Sequence, residues 1–146
     1  MQINDLKIPA ALSEAIRSGH LLRTVGSWYL VDEFDAYGYH LETELGEVYS
    51  TPARIKEETD VLPEHFQPDG YYGESLPDLQ GPGAIPDIIE FSKIICFAIS
   101  GDGSSFCLDY RDTPDQPSVI WWDDVYWRRL APDFDSFLSL FNIVDV

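Results

Sequence analysis

Two cysteines, three histidines and 26 carboxylates set the chemical repertoire of this 146-residue chain. The cysteines, Cys96 and Cys107, flank a Gly101-Asp102-Gly103-Ser104 turn. If Ser100 pairs with Gly103 across that turn, Cys96 faces Cys107 directly. If Ser100 pairs with Ser105, the two still share a sheet face, and only an odd slip separates them. Disulfide distance is therefore within reach, but in a reducing cytosol a buried thiol pair is expected. Zinc is not, because a structural site needs four ligands and no Cys-x-x-Cys or His pair stands nearby. His20, His40 and His65 are scattered and form no His-Glu-x-x-His string. There is no Gly-x-Ser-x-Gly elbow and no phosphate-binding Gly-x-x-x-x-Gly-Lys. Gly101-Asp102-Gly103 lacks the alternating Asp and terminal Glu of a calcium loop and reads as a hairpin turn. No catalytic residue, metal or cofactor is expected. Neighbouring carboxylates such as Glu57-Glu58 and Asp123-Asp124, with Trp121, Trp122 and Trp127, suggest a carbohydrate-active enzyme only as a remote reading. Such an enzyme needs two carboxylates across one cleft, and strand tryptophans more often pack a core. Arg128 and Arg129 beside Asp123 and Asp124 read as local surface ion pairs, which are worth little.

The distribution of acid is more informative. Nine Lys plus Arg oppose the 26 acids, for a formal charge of -17 and a pI near 4.1. That field repels phosphate backbones and anionic lipid surfaces, so neither nucleic acid nor membrane is expected as a partner. No Lys or Arg occurs between Lys56 and Lys93, a span that holds Glu57, Glu58, Asp60, Glu64, Asp69, Glu74, Asp78, Asp87 and Glu90, interleaved with Phe66, Tyr71 and Tyr72. It reads equally as a solvated acidic surface and as a platform for a basic protein, with tyrosine anchors inside an acidic rim. As contacts, Glu57, Glu58, Asp60, Glu64, Asp69, Tyr71, Tyr72 and Glu74 come first, followed by Asp102, Asp123 and Asp124.

The elements that would position these residues suit one domain over residues 1–146, at 45% apolar residues. Pro9 and Gly19 bracket a first helix with Ala11, Leu12, Ala15 and Ile16 on one face. Val25 with Trp28 to Val31, the alternation Tyr37, Tyr39, Leu41, Thr43, and then Leu45, Glu47, Tyr49 read as a β-meander with Gly26, Gly38 and Gly46 near its joints. Thr51-Pro52 opens a short helix to about Asp60. Pro63 to Pro86 contains five of the ten prolines, and no regular helix or central strand is expected there. Phe66, Tyr71, Tyr72 and Leu76 would pin that excursion. Phe91 to Ser100 reads as a central strand buried on both faces, Phe106 to Tyr110 as its return, and Val119 to Trp122 as the next strand. Asp133 caps a last helix with Phe134, Phe137, Leu138 and Phe141 on one stripe. The fold class expected is α+β, a single domain whose largely antiparallel sheet is flanked by N-terminal and C-terminal helices. No apolar run is long enough to span a bilayer, and Met1 to Ala11 lacks the pattern of a signal peptide, so the expected compartment is the cytoplasm.

The run Phe97 to Asp112, "FAISGDGSSFCLDYRD", leads through "SVIWWDD" into "YWRRLAPDFDSFLSLF" at Tyr126 to Phe141. It resembles the SUKH superfamily, whose namesakes include fungal regulators of cell-wall glucan synthesis. The matching positions are Gly101, Asp102, Gly103, Asp109, Trp121, Trp127, Phe134, Phe137 and Leu138. Ile8 to Ile16 is similar to the family's opening Pro-containing helix, although Ser18-Gly19-His20 replaces its usual Asn-Gly-Gly. The Pro63 to Pro86 loop matches no family motif. The resemblance implies an α+β fold without established catalysis. It further implies a cognate protein toxin, often a nuclease or deaminase, that an immunity protein binds and neutralises; the acidic charge suits a basic toxin. A regulatory or scaffolding module, as in the fungal relatives, is the alternative. No feature of the sequence sets an oligomeric state.

Overall fold

The computed structural model describes residues 1–19, 28–66, 83, 85, 88, 90–123 and 127–141. A small hairpin comes first, β1 (Gln2–Ile3) and β2 (Leu6–Lys7). Its two turn residues, Asn4 and Asp5, both have positive φ, 51° and 67°, as a tight hairpin turn of the right twist requires. Helix α1 (Ala10–Ser18) starts after Pro9 and ends on Gly19, whose φ of 75° closes the last turn. Its Leu12 and Ala15 are buried, with Ala11 and Ile16 packed at the margin of the core.

The main sheet has six strands in the order β3-β4-β5-β6-β7-β8, every neighbouring pair antiparallel. The strands are β3 (Trp28–Tyr29), β4 (Glu44–Val48), β5 (Ile94–Ser100), β6 (Ser105–Asp109), β7 (Ser118–Trp122) and β8 (Trp127–Ala131). Between β4 and β5 lie α2 (Pro52–Asp60) and α3 (Leu62–Phe66), and α4 (Phe134–Leu140) follows β8. The architecture is the mixed α+β, single-domain fold expected.

Both faces of the sheet are covered. Phe106 sits opposite Trp121 in register, so Trp122 must point to the other face. On the first face, Phe134 and Phe137 of α4 meet Phe97 at 5.4 and 5.5 Å, and Phe137 also meets Phe106 at 5.6 Å. On the second, Phe66 meets Trp122 and Trp127 at 4.9 and 5.0 Å. Trp121 and Trp127 are core residues, not a sugar-stacking platform.

The β5–β6 hairpin resolves the cysteine arithmetic by an unexpected route. At its tip the N–H of Ser100 donates to the carbonyl of Ser104, 2.8 Å, and Ile99 pairs with Ser105. That is the odd slip that would part the cysteines. A bulge at Phe97 then adds one residue to β5, and Cys96 comes to lie opposite Cys107. Both are free and buried, and burial, with Cys96 alongside, pushes the Cys107 thiol well above its ordinary range. Such a thiol is a poor nucleophile.

Three expectations need correction. The alternation Tyr37 to Thr43 is not a strand. Only the bridge Phe34↔His40 pairs there, because Gly38 (φ 88°) reverses the chain and the Asp35 carboxylate accepts the N–H groups of Tyr37 and Tyr39. Gly46 lies inside β4, not at a joint. A Cβ there would sit 2.9 Å from the Gly101 nitrogen, so glycine permits the close backbone approach at the β4–β5 bulge. Pro63 lies inside α3, in the first turn, where its missing N–H is harmless. Of the residues expected to pin the following excursion, Phe66 packs against Phe91 and Trp122, and Tyr71, Tyr72 and Leu76 lie outside the described residues.

Candidate interaction surface

Helix α2 is built from a local signal. The Thr51 hydroxyl accepts the Arg54 N–H at 3.1 Å, and Pro52 occupies the first turn. Ile55 and Thr59, four residues apart, point inward. The Thr59 hydroxyl accepts the N–H of Cys96 at 2.9 Å, just past the point where β4 stops pairing with β5. The helix thus supplies a hydrogen bond that a strand would otherwise give. Thr59→Val, nearly isosteric, leaves that buried N–H unpaired and is expected to cost about 1–3 kcal/mol in urea denaturation.

With Ile55 and Thr59 facing the sheet, Glu57 points directly away from it, and it is exposed. The flanks of the helix are neutralised. Arg54 Nε donates to Glu58 at 3.1 Å. Lys56 Nζ donates to Asp60 at 2.9 Å and to the Asn4 side chain at 2.8 Å, while Asn4 Nδ2 donates to the other Asp60 oxygen at 3.1 Å. The hydrogen bond from Lys56 holds the Asp60 carboxyl below its ordinary range, and Asn4 adds to it against the opposing effect of desolvation. Glu64 on α3 is exposed. Neither Glu57 nor Glu64 has an ion-pair partner among the described residues. Among the described residues, then, Glu58 and Asp60 are internally compensated and Glu57 and Glu64 are not.

The second-choice acids are more structural. Asp102 is exposed at the β5–β6 tip, but its carboxylate accepts a hydrogen bond from the Ser100 hydroxyl, which itself accepts the Ser104 N–H at 3.0 Å. Asp123 is half-buried and lies 3.5 Å from Arg128. Asp69, Tyr71, Tyr72, Glu74 and Asp124 lie outside the described residues.

The reading of Arg128 and Arg129 as surface pairs with Asp123 and Asp124 holds, among the described residues, only in the Arg128–Asp123 contact, and Arg128 is not at the surface. It is 5% exposed, and its principal partner is the buried Asp35, 93 residues away, at 2.9 Å. The same NH2 group also donates to the His40 carbonyl at 2.6 Å. Arg129 pairs with Asp112 at 3.4 Å. Spacing could not have revealed a partner from a loop before β4; the one local sign is that Arg128 falls in the apolar frame of Trp127, Leu130 and Ala131.

One cleft bears on hydrolytic chemistry. It measures about 340 Å³ and places Asp60 and Glu90 beside Asn4 and Phe91. A general acid needs a carboxyl raised above its ordinary range, whereas that of Asp60 is lowered. Among the described residues no group of three or more His, Cys, Asp or Glu is placed to hold a metal ion, and no helix is long and apolar enough to cross a membrane.

The family-signature positions fall on structural parts. Gly103 (φ 96°) forms the turn, Asp109 is buried and receives the Arg111 guanidinium at 2.9 Å, and Trp121, Trp127, Phe134, Phe137 and Leu138 fill the core. No curated protein and no solved structure matches the chain. Among protein families, residues 20–140 match the SMI1 / KNR4 family (SUKH-1), an extent that takes in every strand of the six-stranded sheet and all of α4. With the signature residues sitting where the fold depends on them, the chain belongs to the SMI1 / KNR4 family, SUKH-1.

Proposed function

We propose that the protein is a non-enzymatic immunity protein that binds a cognate, basic protein toxin in the cytoplasm and neutralises it through an acidic surface centred on α2 and α3. The family includes toxin-immunity proteins. The observation that carries the reading is the division of charge on α2. The cations of the helix are consumed by Glu58 and Asp60, so outward Glu57 and nearby Glu64 present a net negative face on a chain of charge -17. Such a face steers a basic partner and can cover a phosphate-binding cleft. The surface extends, on sequence grounds, to Asp69, Tyr71, Tyr72 and Glu74, with Asp102, Asp123 and Asp124 as outer contacts.

Co-expression with a polymorphic toxin encoded by a neighbouring gene, identified from the genomic neighbourhood, tests the reading. The native chain is expected to restore growth and to co-purify with the toxin. Glu57→Lys/Glu64→Lys should fold normally yet weaken the complex by about 100-fold or more, since like charge at a contact costs several kcal/mol. A toxin that stays fully lethal beside the native chain, with no complex formed, would sink the proposal for that pair.

A further inference from the structure

The segment between β3 and β4 carries an exposed aromatic face that the family signature does not touch. It is a tight hairpin. The N–H of Leu41 donates to the Glu33 carbonyl at 3.0 Å, that of Asp35 to Tyr39 at 2.8 Å, and that of Gly38 to Asp35 at 3.1 Å. Phe34 bridges His40 across it. Asp35 and Leu41 are buried, while Phe34 and His40, opposite each other at the bridge, share the outer face with Glu42; Asp32 precedes Phe34 by two residues. These last four are exposed, and Phe34 retains half of its surface. Its ring stands edge-on to His40 at 6.2 Å, and His40 Nε2 lies 3.1 Å from a Glu42 oxygen.

This face is anchored to the sheet. Arg128 grips Asp35 and the carbonyl of His40 from beneath, and the N–H of Ala36 donates to Leu130 on the outer edge of β8 at 2.9 Å. A large aromatic displayed on a pre-ordered loop loses little entropy when covered, which is the character of an interface anchor. Its neighbours fix the chemistry of what covers it. An exposed aromatic with exposed carboxylates two residues beyond each side of its bridge, Asp32 and Glu42, suits a guanidinium, which stacks on the ring while it pairs with an acid. A second copy of the chain would bring another -17 and is disfavoured.

We propose that the outer face of the 32–42 hairpin is a docking site for an arginine-bearing segment of a basic protein partner. This surface is separate from α2, and the inference does not depend on any toxin. The test uses the full chain, ¹⁵N-labelled, titrated with the blocked pentapeptide acetyl-Ala-Arg-Leu-Arg-Ala-amide and with its Arg-to-Glu counterpart. The arginine peptide is expected to shift amides of residues 32–42 most. Phe34→Ala should weaken it by about tenfold with an unchanged urea midpoint, and Glu57→Gln/Glu64→Gln should leave it within about twofold. Equal binding of the glutamate peptide, shifts centred on residues 57–64 or spread over the whole surface, or a Phe34→Ala protein that binds like the native chain would each overturn it. Because the probe is a peptide, any of these results leaves the toxin reading standing.

Discussion

Arg128→Met is expected to lower the stability of the fold by about 3–5 kcal/mol, because it strands a buried carboxylate. The Asp35 side chain is fully buried, and what remains to it is the pair of N–H groups of Tyr37 and Tyr39, at 2.8 and 3.1 Å. The variant also frees the His40 carbonyl that Arg128 now holds. Asp35→Asn is expected to cost less, since an amide keeps part of the hydrogen bonding and leaves Arg128 with carbonyl acceptors. The double variant Asp35→Leu/Arg128→Met should recover much of the loss, as buried ion pairs replaced whole by apolar groups often do. Urea denaturation of the three proteins checks this. A cost below about 1 kcal/mol for Arg128→Met would mean that the pair behaves as an exposed one. The consequence extends beyond stability. Asp35 and Arg128 join the β3–β4 connection to β8, the far margin of the same sheet, and cover an edge that would otherwise offer unpaired backbone groups.

That pair also marks where the sequence stopped being legible. Features written in local chemistry could be read directly. Pro9 and Gly19 bracket α1, Thr51-Pro52 opens α2, and the spacing of Phe134, Phe137, Leu138 and Phe141 gives the buried stripe of α4. The apolar run into Ser100 gives β5. Features set by distant partners could not. β8 contains Arg128-Arg129, which reads as solvated surface until Asp35 is placed against it. Tyr37 to Thr43 alternates like a strand, yet Gly38 and the Asp35 carboxylate fold it into a turn. The Phe97 bulge left no trace in the pattern, although it decides which face Cys96 takes. At the candidate surface the same division holds. That Glu57 points outward follows from the helix period, whereas the sharing of Lys56 between Asp60 and Asn4, 52 residues apart from it, needs the β1–β2 hairpin beside α2. Phe34 went unread because one exposed aromatic in a chain with 14% aromatics carries no compositional signal.

Phe137→Ala should be the most damaging change in the apolar core, by about 3–5 kcal/mol. The side chain is fully buried and lies within 5.3–6.1 Å, centroid to centroid, of Phe97, Phe106, Phe134 and Phe141. Those rings come from β5, β6, α4 and the residue that caps its C-terminus, so their backbones limit how far they can close on the space left behind. That is the condition under which a cavity keeps its full cost. Phe137→Leu keeps most of the volume and is expected to cost about 1.5 kcal/mol or less above the loss of aromatic contacts, which adds roughly 0.5–1.5. Thermal and urea unfolding of both variants separate the two contributions. Equal losses would show that volume is immaterial at this position. The damage should also be felt at a distance. The Leu140 carbonyl at the end of α4 accepts the Val31 N–H at 2.9 Å, immediately before the hairpin that carries Phe34. Loosening α4 therefore releases one end of that hairpin while Arg128 still holds its middle. Amide exchange at Val31 should accelerate in Phe137→Ala more than exchange at Leu41, which lies closer to the Arg128 anchor.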